Sequence, residues 1–126
     1  MRVLDSSAAV KLLVGDAEVV ELDEEELAAP HLIDSEVVNA LRRLVLRKQL
    51  TDEEGTLALE LFGAMEITRY PADWLRPRMW ALRGNFTGQD ATYIALAEML
   101  GNVPLLTADA RIRDAPVVLN CRVELL

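Results

Sequence analysis

Apolar residues fall along this chain in two kinds of run. Short runs suit strands: Met1 to Asp5, apolar and ending in a carboxylate, Ala28 to Ile33 and Val103 to Leu106 as buried strands, and Met65 to Tyr70 as a third strand in chain order. Between them the apolar positions recur every three or four residues, the period of a helix with one buried face. Ser6 and Ser7 are cap candidates for a first helix over Ala8 to Val14, stopped by Gly15. Asp34 or Ser35 would cap a second over Glu36 to Lys48, with Val37, Leu41, Leu44 and Val45 as its buried stripe. Thr51-Asp52-Glu53-Glu54 has the form of a capping box and opens a third helix through Leu61 or Ala64. Pro71 ends the third strand, and Ala72 to Arg83 keeps a helical period despite Pro77. After a loop at Gly84 to Gly88, a helix over Ala91 to Leu100 carries Ile94, Ala97 and Leu100 on one stripe and ends at Gly101. Ala110 to Arg113 reads as one helical turn, and Val117 to Leu119 as a last strand continued by Val123 to Leu125.

Strands alternating with helices imply an α/β fold with a mainly parallel sheet covered on both faces. At 126 residues, 52% of them hydrophobic, the chain fits a single domain over 1-126 without staples. The link Gly101-Asn102 is too short to cross a sheet, so the helix before it must run antiparallel to the strand after it. That places Asp90, at the start of the helix, and Asp109, just past the strand, at one edge. The same edge collects Asp5, which ends the first strand, and Glu36, which follows the second.

Each of these acids has an ordinary structural explanation. Asp5, Asp90 and Asp109 could cap helices, and Glu36 could favour its helix dipole. Together they are harder to explain so, because four carboxylates with no adjacent base repel one another unless a cation lies between them. With no His or Cys among them, the donors suit Mg²⁺ or Mn²⁺. Such an ion polarises a phosphoryl oxygen and acidifies a bound water, which is the chemistry of phosphodiester hydrolysis.

VLDSSAAVKLL at the start, Pro30 to Leu41 with its S-E-V-x-N-A-L core, QDATYIALAE from Gln89, and LLTAD from Leu105 resemble the PIN-domain ribonucleases. More narrowly they resemble the VapC-type toxins of bacterial toxin–antitoxin pairs. The resemblance implies a three-layer α/β/α domain around a five-stranded parallel sheet and Mg²⁺- or Mn²⁺-dependent RNA cleavage. It also implies a homodimer and a complex with a cognate VapB-type antitoxin. The catalytic, metal-holding acids would be Asp5, Glu36, Asp90 and Asp109, with Ser6, Asn39 and Thr107 as supporting neighbours. Asp34, two residues before Glu36, is a competing ligand.

Net charge is −8, yet seven of the 21 acids lie in Asp16 to Glu26, leaving 14 against 13 Lys and Arg elsewhere. That segment reads as a solvated face. Arg42, Arg43, Arg47, Lys48, Arg76, Arg78 and Arg83 are candidates for the RNA backbone. Few aromatics argue against extensive base stacking. The lone His31 reads as structural, and the lone Cys121 as a small buried thiol. With no signal pattern and no apolar run of about 20 residues, a cytoplasmic, non-membrane protein is expected. An aspartyl phosphatase centred on Asp5 would want an acid two residues on, where Ser7 stands. The alternative function is a catalytically inactive module that binds RNA or a partner. An apolar groove for an antitoxin peptide is expected between the second and third helices, with Leu57 and Leu61 contributing.

Overall fold

The computed structural model describes residues 1–15 and 25–126. Most of the acidic segment, residues 16–24, therefore lies outside the described part. In chain order the elements are β1 (Arg2–Leu4), α1 (Ser6–Leu13), β2 (Leu27–Pro30), α2 (Ile33–Leu46), α3 (Asp52–Ala64) and β3 (Ile67–Tyr70). A 3-10 turn (Asp73–Leu75) leads into α4 (Arg76–Ala81), followed by α5 (Gly88–Met99), β4 (Leu105–Thr107), α6 (Ala110–Asp114) and β5 (Val123–Leu125). The sheet runs β3-β2-β1-β4-β5, every pair parallel. Val3 lies opposite Ala28 on one side and Leu105 on the other, so β1 is the central strand.

Helices cover both faces, as parallel strands require. α1, α2 and α3 pack on one another as one layer, and α5 packs on β1, β2 and β4 with α4 behind it. Val3, Leu4, Ala28, Ala29 and Leu105 are consequently fully buried. The α2–α3 contact is so close that a Cβ on Gly55 would stand 2.8 Å from Val45 Cγ2, so glycine is what lets these helices touch.

Several expected boundaries move, each for a local reason. α1 is capped by Asp5, whose carboxylate accepts from Ala8 N–H, so Ser6 and Ser7 are already helical. α2 begins at Ile33, three residues before the expected start, because Ile33 is fully buried and its apolar face starts there. Neither Asp34 nor Ser35 caps it: Asp34 pairs with Arg69, and Ser35 Oγ donates back to the Leu32 carbonyl. The Thr51–Glu54 capping box is present in both directions.

The expected helix over Ala72 to Arg83 divides into the 3-10 turn and α4, with Pro77 in the first turn of α4, where its missing N–H is not needed. α5 starts at Gly88 under a Thr87 cap, and Ala91 through Ala97 are all buried rather than only one stripe. Contact with the sheet on one side and α4 on the other accounts for this. Gly101 does adopt the left-handed backbone, at φ 102°. Val117 to Leu119 is not a strand. The backbone turns after Pro116, with Val117 N–H bonded to the Ala115 carbonyl, and Val118 is 88% exposed; pairing with β4 begins only at Val123. Among the described residues, no helix is long and apolar enough to cross a membrane.

Candidate active site

β1 ends at Leu4 and delivers Asp5 to the carboxyl edge of the sheet at its centre. The side chain is 4% exposed and held on both oxygens. Ser7 Oγ donates to Oδ1 at 2.7 Å, Ala8 N–H donates to the same oxygen at 2.9 Å, and Thr107 Oγ1 donates to Oδ2. Ser7 also accepts from Ala108 N–H at 2.9 Å, and Thr107 accepts from Asp109 N–H at 3.0 Å. The ends of β1 and β4 are thus stitched together through two hydroxyls and one carboxylate.

Glu36, on the first turn of α2, reaches the hydroxyl of Tyr93 on α5, which donates to Oε1 at 2.6 Å. Asp90 stands in the first turn of α5, where Thr87 Oγ1 accepts its backbone N–H. Asp109 caps α6 and is clasped by Arg111, whose Nε donates to Oδ1 at 3.0 Å and Nη2 to Oδ2 at 2.6 Å.

The acids respond to one another electrostatically. Burial is the chief reason Asp5 is raised above its ordinary carboxylate range, its hydrogen bonds oppose the shift, and the charge of Asp90 adds to it. Burial likewise raises Glu36 against the Tyr93 hydrogen bond, with Asp90 and Asp5 adding repulsion. Asp90 is raised by burial first, against the lowering influence of the Thr87 hydroxyl, and then by Asp109. Asp109 itself is lowered, because the Arg111 guanidinium compensates it. Burial pushes the phenol of Tyr93 upward too, so it remains a donor across the ordinary pH range.

The four acids therefore gather at one edge. Their donor chemistry, carboxylates alone and mutually repelling, fits a hard divalent cation. They do not stand as a closed ligand set: among the described residues no three His, Cys, Asp or Glu side chains form a group able to hold a metal. Glu36 is turned to Tyr93, Asp109 to Arg111, and both oxygens of Asp5 to hydroxyls.

Of the expected neighbours, Thr107 is fully buried on Asp5, and Ser6 opens α1 directly after Asp5 without a side-chain hydrogen bond among the described residues. Asn39 is exposed, and its side chain makes no hydrogen bond among the described residues. Asp34 is removed from competition by a two-pronged ion pair with Arg69, both contacts at 2.7 Å. Ser7, Tyr93 and Arg111 were not expected at the site. Tyr93 carried a readable signal, since it lies three residues beyond Asp90 on one helix face and a buried phenol needs a partner.

Away from the edge, Arg47 lies roughly 16 Å along the α2 axis from Glu36, at 1.5 Å per residue. Lys48 lies just beyond that end, and Arg42 and Arg43 lie roughly 9 and 10 Å from Glu36 along the same axis. Arg78 is engaged by Glu98 at 2.7 Å. His31 is exposed, its backbone bonded to Tyr70. Cys121 is buried, and burial pushes its thiol up to about 11.

A parallel α/β/α domain with carboxylates gathered where its central strands end belongs, by architecture, to the domains that build their site from the loops at that edge. The family model described as PIN domain matches residues 2–118, and the chain belongs to that family. The chain is 44% identical over 115 residues to "VapC ribonuclease Mb0985" of Mycobacterium bovis, covering 90% of each. It is 41% identical over 133 residues to "Ribonuclease VapC1" of Mycobacterium tuberculosis, covering 98% of this chain and 96% of the relative. With "Ribonuclease VapC12" of the same species it shares 40% over 119 residues, covering 91% and 92%.

Proposed function

We propose that the chain is the toxin of a type II toxin–antitoxin pair, an endoribonuclease that hydrolyses RNA phosphodiesters with Mg²⁺ or Mn²⁺. The observation that carries this reading is the convergence of Asp5, Glu36 and Asp90, each raised by burial and by another's charge. Near-full-length similarity to proteins named ribonucleases supplies the substrate class.

Asp5, Glu36, Asp90 and Asp109 would hold the ion, which when bound supplies a Lewis acid for the phosphoryl oxygen and acidity to the attacking water. The remaining work belongs to the protein. Ser7 and Thr107 fix the rotamer of Asp5. Tyr93 steadies Glu36 as a carboxylate, opposing the repulsion of its neighbours. Arg111 balances Asp109 until that carboxylate is needed. Preorganisation of this kind holds reacting groups in place and reduces what must reorder during reaction.

Purified protein is expected to cut a pool of cellular RNA with Mg²⁺ or Mn²⁺ and to stop when chelator is added. Calorimetry with Mn²⁺ provides a second readout. Metal binding without cutting would leave an RNA- or partner-binding module, and neither binding nor cutting would remove the nuclease reading.

The antitoxin is proposed to lay an apolar segment between α2 and α3, where a cavity of about 270 Å³ is lined by Val38, Leu41, Val45, Leu46 and Leu59. Leu57 and Leu61 are exposed but outside this lining, so the contact passes to Leu59. Leu59→Ala combined with Val38→Ala is expected to weaken antitoxin binding about tenfold or more, the loss of one or two interface contacts. Equal affinity of the double variant and the parent in a titration would move the antitoxin elsewhere. The proposed homodimer is tested by sedimentation of the isolated chain.

A further inference from the structure

Beside the carboxylates lies a second surface that the acidic site does not explain. A cavity of about 380 Å³ is lined by Arg76, Met79, Trp80, Arg83, Phe86 and Gly88, a volume within the range of about 300–1,000 Å³ common to small-ligand pockets. Gly88 opens α5, and Asp90 stands in the same first turn, so one helix end contributes both to the cavity and to the acidic edge. Its walls are anchored from below. Leu82, at the end of α4, is 2% exposed, Phe86 N–H bonds to the Leu82 carbonyl, and Thr92 donates to Met79 Sδ at 3.7 Å.

Trp80 is 69% exposed in spite of this support. The other tryptophan, Trp74, ties its indole N–H to the Pro71 carbonyl at 2.6 Å. Trp80 instead presents a ring with the Arg83 guanidinium 4.5 Å from its centroid, and Arg83 Nη1 is fixed by a 2.8 Å bond to the Trp80 carbonyl. Among the described residues neither Arg76 nor Arg83 has a carboxylate partner, whereas Arg69, Arg78, Arg111, Arg113 and Arg122 all do. No acid lines the cavity. In a chain of net charge −8, this is a local reversal of sign next to a planar aromatic face.

We propose that this cavity receives one unpaired nucleobase of the RNA, stacked on the face of Trp80 that Arg83 leaves open, with Arg76 and Arg83 balancing the flanking phosphates. The inference rests on the nuclease reading and adds to it where the strand is gripped. An aromatic face and a guanidinium plane are the two surfaces on which splayed bases stack, and both are sequence-tolerant. Uncompensated arginines complement the phosphates on either side. One such site is compatible with a chain poor in aromatics. It would place the next phosphodiester close to Asp90.

The test uses full-length protein, with a Trp74→Phe background for the quenching titration, in which Trp80 alone fluoresces, and anisotropy of end-labelled RNA, with polyphosphate as competitor, for the variants that lack Trp80. Short single-stranded RNA of random sequence and inorganic polyphosphate are titrated in parallel, in chelator and again in Mg²⁺. RNA is expected to quench Trp80, and polyphosphate is not. Trp80→Ala is expected to weaken RNA binding about ten- to hundredfold, the loss of one stacked base, while leaving polyphosphate binding unchanged. Trp80→Phe should recover most of the RNA affinity, and Arg83→Ala should weaken both ligands. Unchanged RNA affinity of Trp80→Ala overturns the inference, and if sedimentation shows that variant dissociated, the cavity is a face between copies of the chain. A parent protein that cuts RNA while Trp80→Ala binds RNA with the same affinity loses only this inference. A parent that neither binds nor cuts RNA in either condition loses the nuclease reading as well.

Discussion

Replacing Asp90 with Asn is expected to lower RNA cleavage by about a thousandfold or more while raising the thermal stability of the metal-free protein. Removing a ligand of a catalytic ion forfeits several kcal/mol of transition-state stabilisation, and about 1.4 kcal/mol corresponds to each tenfold. The opposite effect on stability follows from the electrostatics. Asp90 is raised above its ordinary value of 3.8 by burial and then by Asp109, so the folded state keeps this proton to higher pH than the unfolded chain does. A raised carboxyl favours folding below the unfolded value, and that advantage is lost as pH climbs through the folded value. At neutral pH the charged, crowded form is the one present, and the amide relieves it. The gain in melting temperature should be a few degrees at pH 7 and should shrink as pH falls towards 3.8. Mn²⁺ should stabilise the parent more than the variant, since a ligand stabilises only what binds it. Cleavage surviving in Asp90→Asn would take this residue out of the proposed site, and an unchanged melting temperature would mean that repulsion at this edge is already relieved.

Ile94→Ala is expected to be strongly destabilising. Ile94 is fully buried within a stretch that is buried on all sides, so its neighbours are held by sheet and helix and cannot close over a hole. Truncation of such a residue costs about 2–5 kcal/mol, a large share of the roughly 5–15 kcal/mol that holds a domain together. Differential scanning calorimetry should show a melting temperature lower by about 10 °C or more. Leu57→Ala, at a side chain 55% exposed, should stay within about 0.5 kcal/mol of the parent. A small loss at Ile94 would mean that α5 relaxes toward the sheet. Because Tyr93 adjoins Ile94, such relaxation should also disturb the bond to Glu36.

β1, β2 and β4 were legible because each is a short apolar run packed inside the sheet, whereas β3 and β5 are its partly exposed edges. The carboxyl ends of the strands fixed which loops share an edge, which is why the meeting of Asp5 with Asp109's loop followed from chain order alone. Helix starts were less legible. Ser6 and Ser7 look like caps, but Asp5 wins because its carboxylate is already drawn inward by Thr107, a partner 102 residues away that no local pattern shows. Val117 to Leu119 has the composition of a strand, and only the turn after Pro116 keeps it out of the sheet. The stripe expected on α5 assumed one solvent face, whereas packing of α4 across it leaves none between Ala91 and Ala97. Asp34 and Glu36 are equivalent in sequence. What separates them is Arg69, which β3 carries alongside β2.

The central strand comes first in the chain, and one of its two partners, β4, comes from the last quarter. During synthesis β1 therefore waits with one side unpaired until residues 105–107 leave the ribosome, and closure over so long a separation is a late event in folding. Asp5 lacks Thr107 until then, and the edge lacks Asp109. A nascent chain held short of residues 105–107 presents an acidic edge without Thr107 or Asp109, so the proposed site is assembled by the same event that closes the sheet.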